Sequence, residues 1–199
     1  MGLLKALLKE VMKAATVKNF TPNFRKSEYD NWLDFVSNGG TTKKWETLKK
    51  QNGWKFRESS VERFQRYLKE VEPFSKPYYE YLTVIKKDWS IMYQSKDYHG
   101  EMAKKIETDC IDAINYYKEM KKIDEKYGEK TPTNIPPFER LALLYERQQR
   151  YEDCIKVCKE AYFYGMDYLT GRMKAAIKKA GRTPTVEETA LIENNNIKS

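Results

Sequence analysis

Apolar residues recur at three- and four-residue spacing over most of the chain, and the polar, glycine and proline positions between these stripes mark where each helix should stop. Tyr29, Trp32, Leu33 and Val36 make a first short stripe, closed by Asn38, Gly39 and Gly40. Thr41 or Thr42 can cap a second helix, with Trp45 and Leu48 on one side and Asn52 and Gly53 at its end. Ser59 followed by Glu62 has capping-box spacing, and Val61, Phe64, Leu68 and Val71 predict an apolar face that Pro73 closes. Another helix is expected from a Ser75 cap through Tyr78, Leu82, Ile85, Trp89 and Met92. The longest runs from about Glu101 to Tyr127, with Met102, Ile106, Cys110, Ala113, Tyr117 and Met120 as its seam, and Gly128 to Pro136 forms the turn after it. Residues 137–165 then read as a helical hairpin. Phe138, Leu141, Ala142 and Tyr145 line its first helix, and Tyr151, Cys154, Ile155, Cys158 and Ala161 line its second. A basic helix from Tyr168 to Ala180 ends at Gly181, Thr185 and Glu188 open a last one, and Asn194 to Ser199 should fray. No strand pattern longer than a few residues is present. The fold class is all-α, with eight or nine helices in antiparallel pairs.

Leu141, Ala142, Tyr145, Tyr151, Cys154, Ile155, Cys158 and Ala161 stand at the spacing of the tetratricopeptide repeat signature, and residues 137–165 resemble one copy of that repeat. The match departs at Cys154 and Cys158, where the family usually has alanine and a larger residue, and at Gly165 and Met166, where it usually has proline. Shifting the signature back by one repeat puts Met120 and Tyr127 where small residues are wanted, so a second strict copy is absent. A single hairpin cannot bury its own apolar face, so neighbouring helices must cover it. The resemblance implies antiparallel hairpins stacked as a short solenoid, or a helical bundle containing one recognisable repeat. It also implies a groove lined by the outward positions of the hairpin's first helix, Glu139, Leu143, Glu146 and Arg147, holding a peptide or helix of another protein.

Charge adds a second feature. The net is +8, and the excess is N-terminal: residues 1–70 hold 15 Lys and Arg against 8 Asp and Glu. This suggests a basic helical region over 1–72 and a repeat-like region over 73–199, expected to form one continuous domain. Lys43, Lys44, Lys49, Lys50, Lys55, Arg57, Arg63 and Arg66 are interleaved with Trp45, Trp54 and Phe56, which fits phosphate neutralisation with base stacking. The same pattern fits short helices anchored by aromatics with their lysines in water, and an acidic protein surface would be drawn to the same cations. Three cysteines without framework spacing suggest a reducing, cytoplasmic setting. The stretch Leu3 to Ala15 reads as an amphipathic helix, interrupted by Lys5, Lys9, Glu10 and Lys13, and is too polar for a membrane span. Ala6 stands where a myristoylation signal needs Ser or Thr.

Candidate chemistry is sparse. His99, the one histidine, falls in a polar turn without a nucleophile motif beside it. No phosphate-binding loop or nucleophile elbow is present. Cys154 and Cys158 share a helix face, but a structural zinc site needs about four ligands, and small buried thiols suit the hairpin better. The expectation is a protein without enzymatic activity, cofactor or metal: a small adaptor, regulator or inhibitor that binds another protein. A nucleic-acid-binding protein using residues 43–66 is the alternative, with membrane attachment ranked below both.

Overall fold

The computed structural model describes residues 20–198, with side chains through Asn194. The amphipathic stretch from Leu3 to Ala15 lies outside the described residues, as do the side chains after Asn194; the end predicted to fray is helical through Lys198. The described residues form eight α-helices and one short 3-10 turn, with a single isolated bridge between Ser27 and Arg57 in place of any strand. The chain divides into two compact units, one up to Arg66 and the other Tyr67–Ser199.

In the first unit, α1 (Glu28–Ser37) and α2 (Thr42–Asn52) start where small polar side chains can accept from free helix N–H groups. Ser27 Oγ accepts from Asp30 N at 3.1 Å and Thr41 Oγ1 from Lys44 N at 3.3 Å. Gly53 ends α2 in the left-handed region at φ +62°. Phe35 and Trp45 are the buried centre, and Phe20, Trp54 and Phe56 surround them with ring centroids 5.3–5.8 Å from one or the other. Gly40 is required by this packing, because a Cβ there would fall 2.2 Å from the Phe35 ring. Asn31 is buried and ties the preceding turn together, accepting from Asn23 N at 2.6 Å and donating to Asn23 O at 2.9 Å.

α3 (Ser60–Ser95) differs from expectation in two ways. The capping box is formed, with Glu62 N donating to Ser59 Oγ at 3.1 Å and Ser59 N to Glu62 Oε2 at 2.8 Å. The helix does not stop at Pro73, however, and both Pro73 and Pro77 lie inside it. Each proline removes one main-chain hydrogen bond and crowds the preceding turn, at about 3 kcal/mol in an ordinary helix interior. Packing on both sides of the prolines overrides that cost: Val71, Tyr78, Ile85, Trp89 and Met92 all enter one core. The second difference is that Val61, Phe64 and Leu68 are 63%, 50% and 46% exposed, so of the predicted stripe only Val71 is buried. Helical periodicity identified the helix but not the face that packs.

In the second unit α3 runs antiparallel to α4 (Glu101–Tyr127), as a ladder of polar ties shows. Tyr67 donates to Asp124 at 2.9 Å, Tyr81 to Asp112 at 3.3 Å, and Lys105 to Asp88 at 2.6 Å. Tyr78, Tyr81, Tyr116 and Tyr117 fill the space between, and Cα approaches within 8 Å are scarce along this pair. The next pair is tighter. α5 (Pro136–Arg147) and α6 (Tyr151–Phe163) repeatedly bring Cα atoms within 8 Å of each other. The faces are small: Ala142, Cys154, Cys158 and Ala161 are almost fully buried, together with Leu141 and Tyr145. α6 ends in a Schellman arrangement, with Gly165 at φ +86° and Met166 N donating to Ala161 O at 3.1 Å. The residue expected to replace the usual proline thus stops the helix.

After a 3-10 turn at Asp167–Leu169, α7 (Thr170–Lys179) packs on α6, and α8 (Val186–Lys198) packs on α7. The predicted Thr185–Glu188 cap is present, with Thr185 N donating to Glu188 Oε2 at 2.8 Å. Arg182 holds the same buried carboxylate at 2.8 and 2.9 Å and reaches across to Glu152 at 2.7 Å. No described helix is long and apolar enough to cross a membrane.

Two outcomes follow from this packing. Ala142→Leu should overfill the α5–α6 seam and lower stability by about 1–3 kcal/mol in urea unfolding; an unchanged midpoint would mean the seam has slack. The Arg182 hydrogen bonds, against the cost of burial, hold the Glu188 carboxyl at about 2, below its ordinary 4.5. Its contribution is therefore present above the unfolded value and lost as pH falls from about 4.5 toward 2. Glu188→Gln should cost about 2–3 kcal/mol at neutral pH, and the gap to wild type should close in acid.

Candidate functional site

α5 separates two faces. Leu141, Ala142, Leu144 and Tyr145 are buried, so the four predicted groove residues occupy the remainder of the helix surface. The structure brings three of them together. Leu143, Glu146 and Arg147 line an open cavity of about 450 Å³ whose other walls are Gln149, Tyr151, Arg172 and Lys179. Glu139 is not among them; it lies toward the start of α5, where its charge adds to the burial that raises the Tyr168 hydroxyl.

Glu146 is the hub of this cavity rather than a free contact. Arg172 and Lys179 are seven residues apart, two turns along one face of α7, and both donate to its carboxylate: Lys179 Nζ to Oε1 at 2.6 Å, Arg172 Nη1 to Oε2. Burial pushes the Glu146 carboxyl up, but the hydrogen bond from Lys179 and the Arg172 charge outweigh it and hold the group below the usual glutamate value. The Lys179 ammonium is raised by its bond to Glu146, against the neighbouring Arg147 charge. Arg172 Nε is buried without a hydrogen-bond partner. Arg147 is exposed, its guanidinium carbon 5.8 Å from the Tyr98 ring centre.

The turn from α5 to α6 supplies the rim. Arg150 N donates to Tyr145 O at 2.9 Å, which makes Gln149 the left-handed residue of a helix C-terminus, at φ +59°. That position favours glycine, because a side chain there meets its own carbonyl. Beyond it Arg150 is fixed by Glu107 at 2.9 Å, with its guanidinium 4.2 Å from the Tyr145 ring centre, and before it Gln148 Nε2 donates to Tyr98 O at 2.7 Å, so the strained residue sits between two anchored ones. Sequence reasoning missed Gln149, Tyr151, Arg172 and Lys179. The signals were the seven-residue spacing of Arg172 and Lys179, and the place of Gln149 just past the last periodic residue of α5.

The predicted basic patch is in the first unit. Lys43, Lys44, Lys50, Lys55 and Arg57 are exposed and form no ion pair with another described residue. Lys49 is bound to Glu28 at 2.5 Å and Arg66 to Glu58 at 2.8 Å. Arg57 and Arg63 border an open cleft of about 950 Å³ at the starts of α1 and α3, with Arg25, Asp30 and Glu62 also on its walls. The interleaved aromatics point inward: Trp45 is 1% exposed, and Trp54 and Phe56 pack on it. The patch keeps its cations, while Trp45 is withdrawn into the core and Trp54 and Phe56 remain half-exposed.

The three cysteines are buried and unpaired in disulfides. Burial raises the Cys110 thiol to about 12, and the hydrogen bond with Cys154, followed by burial, holds the Cys158 thiol far above its ordinary value. His99 is exposed in a turn held by Asp97, whose Oδ1 accepts from His99 N at 3.2 Å and Gly100 N at 2.8 Å. Among the described residues no group of three or more His, Cys, Asp or Glu side chains is placed to hold a metal ion.

Comparison with known proteins finds no matching family model, no matching curated protein and no matching solved structure.

Replacing Gln149 by Gly should relieve the left-handed strain and raise stability by about 0.5–1 kcal/mol in urea unfolding. A loss of stability would mean the Gln149 side chain supports the turn by contacts that outweigh its strain.

Proposed function

We propose that the protein is a non-enzymatic interaction module, a small adaptor or regulator that takes a peptide or helix of another protein against the outward face of α5. The observation that carries this reading is the convergence of Leu143, Glu146 and Arg147 with α7 residues around one open cavity. Successive short helices stacked on their neighbours leave such a cleft where one helix ends beside the next, and a partner segment can bury apolar surface on Leu143 while its polar groups meet Arg147. The arrangement of α5 to α8 is in keeping with a short helical-repeat stack of the tetratricopeptide type, with one clear hairpin and drifted neighbours.

The nucleic-acid reading of residues 43–66 is weaker than the groove reading, because single-strand binding draws much of its energy from bases stacked on exposed aromatics, and Trp45 is inside.

A peptide-display selection on the purified full chain tests the groove. Peptides enriched on the wild type should bind Arg147→Glu about tenfold or more weakly, a change of about 1.4 kcal/mol. They should bind the control Lys87→Glu, at an exposed residue that does not line the cavity, unchanged. Peptides indifferent to Arg147→Glu, or no enrichment at all, would remove the groove.

A further inference from the structure

The charge of the cavity points to one kind of occupant. We infer that the α5–α7 cavity is a site for an acidic peptide segment, and that Glu146 occupies it in the free protein as an internal competitor. This rests on the groove reading above and names the partner chemistry.

Three cations, Arg147, Arg172 and Lys179, line the cavity, and Glu146 is the one carboxylate among the lining residues. An approaching segment therefore meets excess positive charge, which attracts acidic chains and repels basic ones. Glu146 already shows what the site accepts. Its carboxylate is forked between an ammonium and a guanidinium on one face of α7, and a glutamate or aspartate from a partner presents the same pair of oxygens.

The internal pairing is incomplete. Arg172 gives Glu146 a single nitrogen, while its Nε is buried without a partner. A guanidinium offers five donors in a planar fork suited to two-point contact with a carboxylate, so the present arrangement leaves much of that capacity unused. Buried polar groups without a partner are few in native proteins; among the described residues Trp32 Nε1 and Tyr78 Oη are others, and of the three only the Arg172 nitrogen belongs to a residue of this cavity's wall. Exchange of Glu146 for an external carboxylate, with Arg172 turning to meet it through two nitrogens, supplies that nitrogen with an acceptor.

Gln149 is an independent observation on the same cavity. The left-handed position it occupies suits glycine, yet a side chain with an amide donor and acceptor is placed there, on the cavity wall. Strained backbone at a binding rim is where a side chain needed for contact outweighs local preference. The Gln149 amide is suited to the main chain of a bound segment, beside the carboxylate that Arg172 and Lys179 take.

Competition makes a prediction that simple charge attraction does not. Glu146→Gln removes the internal carboxylate and frees both α7 cations. Fluorescence anisotropy with a labelled twelve-residue peptide of alternating Glu and Ala, and its Gln and Ala twin, reads the effect on the full chain. The Glu peptide should bind wild type and lose affinity as salt rises. It should bind Glu146→Gln about tenfold or more tightly, and Arg147→Glu about tenfold more weakly; the Gln twin should bind none of them measurably. Glu146→Asp, too short to span both cations, keeps the test available if Glu146→Gln does not fold, and should give a smaller gain. Equal or weaker binding by the Glu146 variants overturns the competitor role. Equal binding of the Gln twin, or a single-stranded DNA of the same charge displacing the Glu peptide at equal concentration, overturns the acidic-peptide assignment. Display peptides that depend on Arg147 yet carry no excess of Asp and Glu would leave the groove standing and sink this inference alone.

Discussion

The close approach of α5 and α6 is the constraint on which the second unit depends. Two helices can come near enough to share Cα neighbours only if the residues between them are small, and Ala142, Cys154, Cys158 and Ala161 meet that condition. α7 then packs against α6 and lies near enough to α5 for Arg172 and Lys179 to reach Glu146. The α3–α4 pair shows the alternative. Tyrosines at 78, 81, 116 and 117 hold those helices apart, and hydroxyl-to-carboxylate bonds such as Tyr67 to Asp124 set their register. Side-chain volume thus decides which pairs form a tight hairpin and which form a wider ladder.

Much of the fold was legible because helix ends have local causes. Thr41, Ser59 and Thr185 cap by bonds to residues three positions on, and Gly53, Gly128 and Gly165 stop helices by adopting positive φ. Each signal lies within a few residues of the event it controls. The continuity of α3 was not legible for the converse reason. Pro73 is a strong local stop, and what overrides it is packing of Val71, Tyr78 and Ile85 into a core shared with helices far along the chain. The exposed Val61, Phe64 and Leu68 show the same limit: spacing places residues on one face, but only the tertiary neighbour decides whether that face is covered.

The candidate site was legible in part, along the same division. Leu143, Glu146 and Arg147 follow from which face of α5 its buried residues leave outward. Their partners come from α7, and nothing in the local sequence of α5 announces that Arg172 and Lys179 will close on Glu146. For the same reason the basic segment misleads when read alone. Lys43, Lys44, Trp45, Lys49 and Lys50 look like one binding strip, yet Trp45 is the anchor of a small core, Lys49 is paired with Glu28, and the other three lysines stand in water. With little core to share in a unit this short, the aromatics have more to gain inside than as a platform for bases.

Conflicts between local preference and observed structure are informative where they fall on a surface that a ligand can reach. Natural sequences agree with themselves at most positions, because each disagreement costs stability. In the second unit the prolines of α3 are compensated by a visible core. Around the α5–α7 cavity the compensation is missing: Gln149 takes a conformation suited to glycine, and Arg172 buries a nitrogen that nothing accepts. Such conflicts also occur away from the cavity, with Lys96 at φ +56° and with Trp32 Nε1 and Tyr78 Oη buried without hydrogen-bond partners. What sets Gln149 and Arg172 apart is that both line one open cavity around a carboxylate held between two cations, where an incoming carboxylate would meet the guanidinium nitrogen that the free protein leaves without an acceptor.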